Sequence, residues 1–539
     1  MRIRWRAVVV GIIALAWCAC LALVACGGGS AEDAPALASD AQADAVAIDS
    51  AAVAPGRFEL SVSTKSIVLI EGASAKVTVE VVPGQGFADD VRLSASALPA
   101  GLKTNAGGVV IKPAERRIDV IITAPAKTRH GPARVTIRGT AATAASVTAS
   151  VEVDVDVRGA SGSLDTSFGD GGVAVTPLPG PVNVSDLVLT SDDRAVVTGG
   201  VNIFTPTTAS NSFAFARYTA NGAPDPSFGD AGVVISNPGD AFGAQAVASV
   251  RPPGTDDLIA VGGGYVMRLR KDGSRETTFG DNGVVTVGDE IDVKGLFLRA
   301  TNQIVLAGGG NPSSPKVVQL TSAGAPDPAF GVGGAVQGPG ISSPLGAAID
   351  PASGDVILVG VGCRILPISQ NGTAGTETST LGNNCYAWNA LVDPTGRRLL
   401  VGADEKPDSG GGGFPPLFTA VVGAFLPDGG LVSSFGDGGY AAPVINELSA
   451  SAFSAMAVDS DGRYVAVGLG FEGGFHVVRI KRDGTLDKTF AGVGFTTTGP
   501  ASQADAKRVA IQKDGRIVVA GTFSAGMFGS VFGIARFWP

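Results

Sequence analysis

The chain is 539 residues long, with 77 glycines, 17% charged residues and a formal charge of −9. That length allows more than one core, and abundant Gly beside Val-rich runs favours tightly turned all-β structure over helix or disorder. The two histidines, His130 and His476, fall in different segments, which excludes a His cluster for zinc, and the absence of any Lys/Arg run excludes nucleic acid as a partner.

Residues 1–26 read as an export signal. Arg2, Arg4 and Arg6 supply the positive end, and an apolar stretch follows from Val8 to Val24. Leu23-Val-Ala-Cys26 resembles the bacterial lipobox, which implies lipidation of Cys26 and a membrane partner through that lipid. Gly27 after the cysteine resembles lipoproteins sent on to the outer membrane of a Gram-negative cell. Residues 27–56 are Ala/Asp/Ser-rich without a periodic apolar face, as expected of a disordered tether.

Residues 57–158 alternate with the two-residue period of half-buried strands, as in Phe58-Glu-Leu60-Ser-Val62 and Lys76-Val-Thr-Val-Glu-Val-Val82. Seven or eight strands in about 100 residues are the proportions of an immunoglobulin-like β-sandwich. Ala97-Leu-Pro-Ala-Gly-Leu102 resembles a turn of bacterial surface modules of that class, which commonly act as spacers.

From residue 162 to 539 one phrase recurs at intervals of roughly 50 to 60 residues, clearest in Asn221-Gly-Ala-Pro-Asp-Pro-Ser-Phe228-Gly-Asp-Ala-Gly-Val-Val234. Copies surround Phe168, Phe279, Phe330, Phe435 and Phe490, with a worn copy around Leu381. A second phrase, a turn and an apolar run ending in Gly, appears as Asp461-Gly-Arg-Tyr-Val-Ala-Val-Gly468 and Asp514-Gly-Arg-Ile-Val-Val-Ala-Gly521. Runs without polar alternation imply strands buried on both faces. Four strands per unit and seven units predict a seven-bladed β-propeller. In the first unit they fall near Val173–Thr176, Asp186–Leu189, Ala195–Gly199 and Phe213–Tyr218. Within the phrase, the Phe is an anchor between blades, and Gly-Asp-x-Gly is a sharp bend capped by the Asp side chain. Asp170, Asp230, Asp281 and Asp437 therefore read as turn residues. One carboxylate per turn is too few for calcium.

Leu164-Asp-Thr-Ser-Phe-Gly-Asp-Gly-Gly172 resembles the repeat phrase of the delta-60 repeat family of bacterial envelope proteins. The resemblance covers 162–539 and implies a propeller without implying an activity. Two copies depart from it: the Leu381 copy lacks the Phe, and Ala491 follows Phe490 in place of Gly.

Comparison among the repeats exposes a covariation. An Arg five residues before the turn Gly accompanies an acid three before the anchor Phe, giving Arg217–Asp225, Arg268–Glu276 and Arg479–Asp487. Where one is missing so is the other, as at Pro367 and Thr378 or at Ala424 and Val432, with Gln319–Asp327 as a half case. Covarying positions predict contact, here a charge pair at the corner between successive blades. Asp165 has no upstream Arg and Arg536 has no downstream phrase, so ring closure predicts that these two meet.

Cys363 and Cys385, with an exported chain, predict a disulfide. Insertions lengthen the connections Asn202–Ser212 and Lys406–Pro416. The sequence contains no nucleophile elbow, metal cluster or phosphate loop, and no cofactor is predicted. The expectation is a non-enzymatic cell-envelope lipoprotein whose propeller binds an envelope protein or glycan. The alternative is a propeller enzyme (a lyase, hydrolase or quinone-dependent oxidoreductase).

Overall fold

Alternation in the first folded stretch produces nine strands in the computed structural model: β1 (Phe58–Val62), β2 (Ser66–Ile70), β3 (Ser74–Pro83), β4 (Val91–Ser96), β5 (Lys103–Thr104), β6 (Val110–Ile111), β7 (Arg117–Thr123), β8 (Gly131–Ala141) and β9 (Thr148–Arg158). The structure describes residues 53–539 apart from 97, 99–100, 205–208, 239–246, 289–290, 311–313, 339, 342, 379–383, 407–416, 443–451, 470–473, 499–503 and 525–528. The expected leader, Cys26, most of the tether, the Leu381 copy and most of the second insertion thus lie outside the described residues.

The strands form two sheets, ordered β1-β3-β7-β5 and β2-β9-β8-β4-β6, with β2 parallel to β9 and the other pairs antiparallel. Phe58, Leu60 and Val62 of β1 and Val77, Val79 and Val81 of β3 face one core, and their neighbours in sequence point outward. Each such side chain, fully buried, contributes about 1.5–3 kcal/mol. The folded part begins earlier than residue 57: Val53 is buried and the Gly56 N–H donates to the Gln85 carbonyl at 2.8 Å.

Beyond the sandwich the strands fall into antiparallel meanders, and no helix occurs among the described residues. The first meander runs Val182–Leu189, Ala195–Phe204, Ala209–Tyr218 and Val233–Ser236, in that order across the sheet. Similar sheets follow over 248–286, 291–337, 344–368 and 385–441. Two last meanders, over 452–498 and 504–537, share one core and are joined in backbone pairing by the single bridge Leu469↔Asp505. The first strands of successive sheets lie against one another, and Val182–Leu189 also lies against Ala504–Ile511. The second strands are buried throughout, as in Ala195–Val201 and Leu258–Gly262. Sheets stacked face to face around inner strands, buried on both sides, are the blades of a β-propeller.

The blade boundary differs from the repeat boundary. Apart from the Leu381 copy, which Cys385–Val392 of the next sheet follows, the strand after each phrase is the outer strand of the sheet already begun, not the start of a new one. The strand β10 (Val173–Thr176), expected in the first unit, therefore pairs with Ser530–Phe537 in the register Val173↔Ala535 to Thr176↔Phe532. The reason is geometric: the phrase is a tight turn, so the chain must return antiparallel along the strand it has just left.

Glycines at the end of the second phrase have a specific cause. The inner strands bulge between Val184 and Asp186, Val293 and Gly295, Ala387 and Asn389, Phe453 and Ala455, and Ala506 and Arg508. A Cβ on Gly199, Gly308, Gly402, Gly468 or Gly521 would lie within about 2 Å of an inner-strand carbonyl oxygen beside that bulge. Cys363 and Cys385 form a disulfide, with Cα atoms 5.2 Å apart, which ties the sheet over 344–368 to the inner strand Cys385–Val392 of the next.

Candidate functional site

The residues singled out by repetition gather at the joints between blades. The anchors Phe168, Phe228, Phe279, Phe330, Phe435 and Phe490 are all buried. Phe228 packs with Phe213 and Phe215 of its own sheet and Leu258, Ala260 and Met267 of the next. The residue after each anchor donates its N–H to the turn of the following repeat. Gly169 reaches the Asn221 carbonyl at 2.7 Å, Gly229 that of Asp272 at 2.8 Å, and Gly436 that of Asp483 at 2.7 Å. Ala491 makes the same bond to Ser161 at 3.0 Å, so the last phrase grips the first turn. The bend after the anchor is closed by backbone bonds, as between Asp230 N–H and the Val233 carbonyl at 2.8 Å. Asp170, Asp230, Asp281 and Asp437 are exposed there, so the cap expected from their side chains is supplied by the main chain.

Three of the four charge pairs come together in one geometry. Nε of Arg217, Arg479 and Arg536 donates to Asp225, Asp487 and Asp165 at 2.8, 2.7 and 2.8 Å, with all six side chains buried. The guanidiniums lie 4.6, 4.8 and 4.6 Å from the ring centres of Phe228, Phe490 and Phe168. The second carboxylate oxygen closes its own turn, accepting from the N–H of Ser227, Thr489 or Ser167. Nη1 of Arg217 and Arg536 crosses to the next blade and donates to the carbonyls of Lys271 and Ala220. The ion pair therefore lies within a blade, between its third strand and the following turn, and the remaining guanidinium N–H links the blades. Burial pushes the Asp225 carboxyl up, but Ser227, Arg217 and Arg194 outweigh it and bring it down to about 2. Burial opposes ionisation of Asp165 as well, yet His130, Ser167, Arg516 and Arg536 hold it well below the usual carboxylate range.

Arg268 and Glu276 do not meet as expected. Arg268 Nη2 donates to Asp257 at 2.8 Å, and Glu276 accepts from Arg270 Nε at 2.9 Å. Glu276 has one methylene more than the Asp elsewhere and reaches outward, while Asp257 sits just before the strand paired with Arg268. Sequence comparison also missed the arginines of the second phrase. Arg194 and Arg516 contribute a second cation to Asp225 and Asp165. In the blade that has Ala424, Arg397 lies 5.9 Å from the Phe435 centre and donates to the Arg482 carbonyl at 2.7 Å. In the half case Gln319 donates to Asp327 at 2.8 Å, and Arg299 donates to Gln319 at 2.7 Å. The recurring Asp-Gly-Arg was the available signal for part of this set.

A cleft of about 790 Å³ opens where the sandwich meets the closing blade. His130, at the start of β8, forms its floor with a ring 1% exposed. Its Nδ1 accepts from Trp538 Nε1 at 2.9 Å and from the Thr166 N–H at 3.1 Å, so Nε2 carries the proton toward Glu71 at 3.0 Å. Both ring nitrogens are thereby engaged in joining sandwich to propeller. The connection between them has no slack: a Cβ on Gly159 would lie 2.3 Å from the Trp538 ring, and the Gly162 N–H donates to the Trp538 carbonyl at 2.9 Å. Around this floor the cleft is lined by Arg129, Arg158, Arg516 and Arg536 against Asp156 and Asp514.

The family described as "Domain of unknown function (DUF5122) beta-propeller" matches residues 203–228, 460–490 and 512–539. Each segment contains part of a phrase or of a blade strand, and the match supports the propeller fold. Among solved structures, the C-terminal WD40 domain of Sif2 is 9% identical, aligns over 76% of this chain and 90% of its own, and has a TM-score of 0.38. The Dos1 propeller is also 9% identical, over 66% and 78% of the two chains, with a TM-score of 0.36. No curated protein matches this chain in sequence.

Proposed function

We propose that this chain is a non-enzymatic cell-envelope lipoprotein, anchored through lipid on Cys26, in which a seven-bladed β-propeller serves as a binding scaffold for an envelope protein or glycan. An immunoglobulin-like sandwich over 57–158 sets the propeller's orientation, and the tether before it gives distance from an outer membrane. The count of seven is supported by the inner strands, which touch in succession from Val182–Leu189 to Ala504–Ile511 and back to the first. The immunoglobulin-like reading is supported by the order of the two sheets and by β2 lying parallel to β9.

The observation that carries the binding reading is the division of labour among charged residues. Three of the four predicted pairs, and the second-phrase arginines, are engaged in holding blades together. Beside Arg516, Arg536 and Asp514 of the repeats, the cleft at the sandwich junction is lined by residues that occur once, among them Arg129, His130 and Arg158. Fractionation of a Gram-negative host fed an alkyne-tagged fatty acid tests the anchor. Label should enter the wild-type chain and appear with the outer membrane, and Cys26→Ser should abolish both. Undiminished labelling of the Cys26→Ser chain, or an unlabelled wild type, overturns it.

A further inference from the structure

We infer that the cleft between sandwich and closing blade is a binding site for a carboxylate-bearing peptide segment, which rests on the reading of the propeller as a scaffold and names its ligand class. A volume of about 790 Å³ is enough for a short peptide stretch. Four arginines against two aspartates line it, in a chain whose formal charge is −9, so the cleft is a local reversal of sign. Most of that charge is already held. Arg516 and Arg536 donate to Asp165, Arg516 also meets Asp514, and Arg158 Nε lies 2.8 Å from Asp156. Arg129 is exposed and, among the described residues, has no ion pair, leaving one planar donor fork turned to the cleft. Such a fork matches a carboxylate with two parallel hydrogen bonds.

Peptide is favoured over acidic sugar by the apolar part of the wall. Ile70, 44% exposed, with Pro132, Ala133 and Pro539, offers aliphatic surface for short side chains. Stacking of a sugar ring needs an open aromatic face. Trp538 is 7% exposed, with the Arg516 guanidinium 5.4 Å from its centre and the His130 ring against it at 5.5 Å.

The test is calorimetric titration of the purified full chain in mild detergent with three probes: Ac-Ala-Glu-Ala-Glu-NH2, its Gln counterpart, and tetragalacturonate. The Glu peptide should bind, the Gln peptide should bind at least tenfold more weakly, and affinity should fall as salt is raised. Arg129→Ala should reduce Glu-peptide affinity at least tenfold with an unchanged melting temperature. Absence of Glu-peptide binding, equal affinity in Arg129→Ala, or tighter binding of the uronate overturns the assignment. The Cys26→Ser chain should titrate like wild type, so failure of the anchor and failure of this site are read separately.

Discussion

Arg217 and Arg536 do three things with one side chain, and Arg479 does two of them. Each meets a buried Asp, covers the face of an anchor Phe, and two of them reach a carbonyl of the next blade. Arg397 lies over the ring and reaches the carbonyl from the turn before a different strand, Arg398–Lys406, which makes it the residue to test. Arg397→Ala should lower stability by about 1.5–3 kcal/mol, the range for a hydrogen bond from a charged donor plus an aromatic contact. Arg268→Ala removes a pair whose members are 22% and 18% exposed and should cost no more than about 1 kcal/mol. Urea denaturation of the two variants, compared side by side, decides whether the repeat position or the contact matters. Spacing alone revealed the Asp partners because pair members lie close in sequence and recur together. It could not reveal Arg397 or the second cations. Arg194 and Arg217 become neighbours only through the register Ala195↔Tyr218, which is a tertiary fact.

At the scale of the strand, the apolar run ending in Gly was legible as a buried element, but its end was not. Ala195–Phe204 continues well past Gly199. The glycine sits inside the strand because the facing inner strand bulges toward it, and a Cβ there would come within 1.9 Å of the Asn183 oxygen. Gly199→Ala should therefore destabilise by about 1–3 kcal/mol, the usual cost of overpacking. Gly107→Ala, where nothing lies within 4 Å of the added carbon, should be close to neutral. Thermal melts of both variants measure the difference, and equal melting temperatures would remove the steric explanation. The bulge leaves no single mark in the sequence of the inner strand itself, since the skipped residues Ser185, Lys294, Trp388, Ser454 and Lys507 are of three different kinds. Only the recurrent Gly on the neighbouring strand betrays it.

At the scale of the ring, closure rests on β10, on Ala491 gripping Ser161, on the buried bond between Thr176 and Tyr218 at 2.7 Å, and on Asp165 with Arg536. Asp165 faces Arg536 and Arg516, and its loss strands both cations at the seam. Asp165→Ala should cost about 3–5 kcal/mol, measured by urea denaturation, and the double variant with Arg536→Met should lose less than the sum of the two. The carboxylates also set an acid limit. Free Asp titrates near ~4, whereas Asp225 is held at about 2 and Asp165 is likewise depressed. Their contribution is complete above the unfolded value and is lost as pH falls through the folded ones. Stability should thus drop between about pH 4 and 2, and the drop should be smaller in Asp165→Ala. The ring and its closing pair were legible because repetition exposes the unmatched residues at its two ends. The docking of the sandwich was not, because His130 and Trp538 belong to no repeat.

The pairing of β10 with Ser530–Phe537 also orders events in time. A chain made from its N-terminus releases β10 early and its partner strand much later; Asp165 waits for a residue 371 positions on. Until then the outer edges of β10 and of the final blade are open templates for another chain. Trp538 follows the last strand directly and binds His130 in a sandwich whose own strands are complete by residue 158. The closing strand is thus received beside a surface that has already folded, and the interval before it arrives is when aggregation threatens the molecule most.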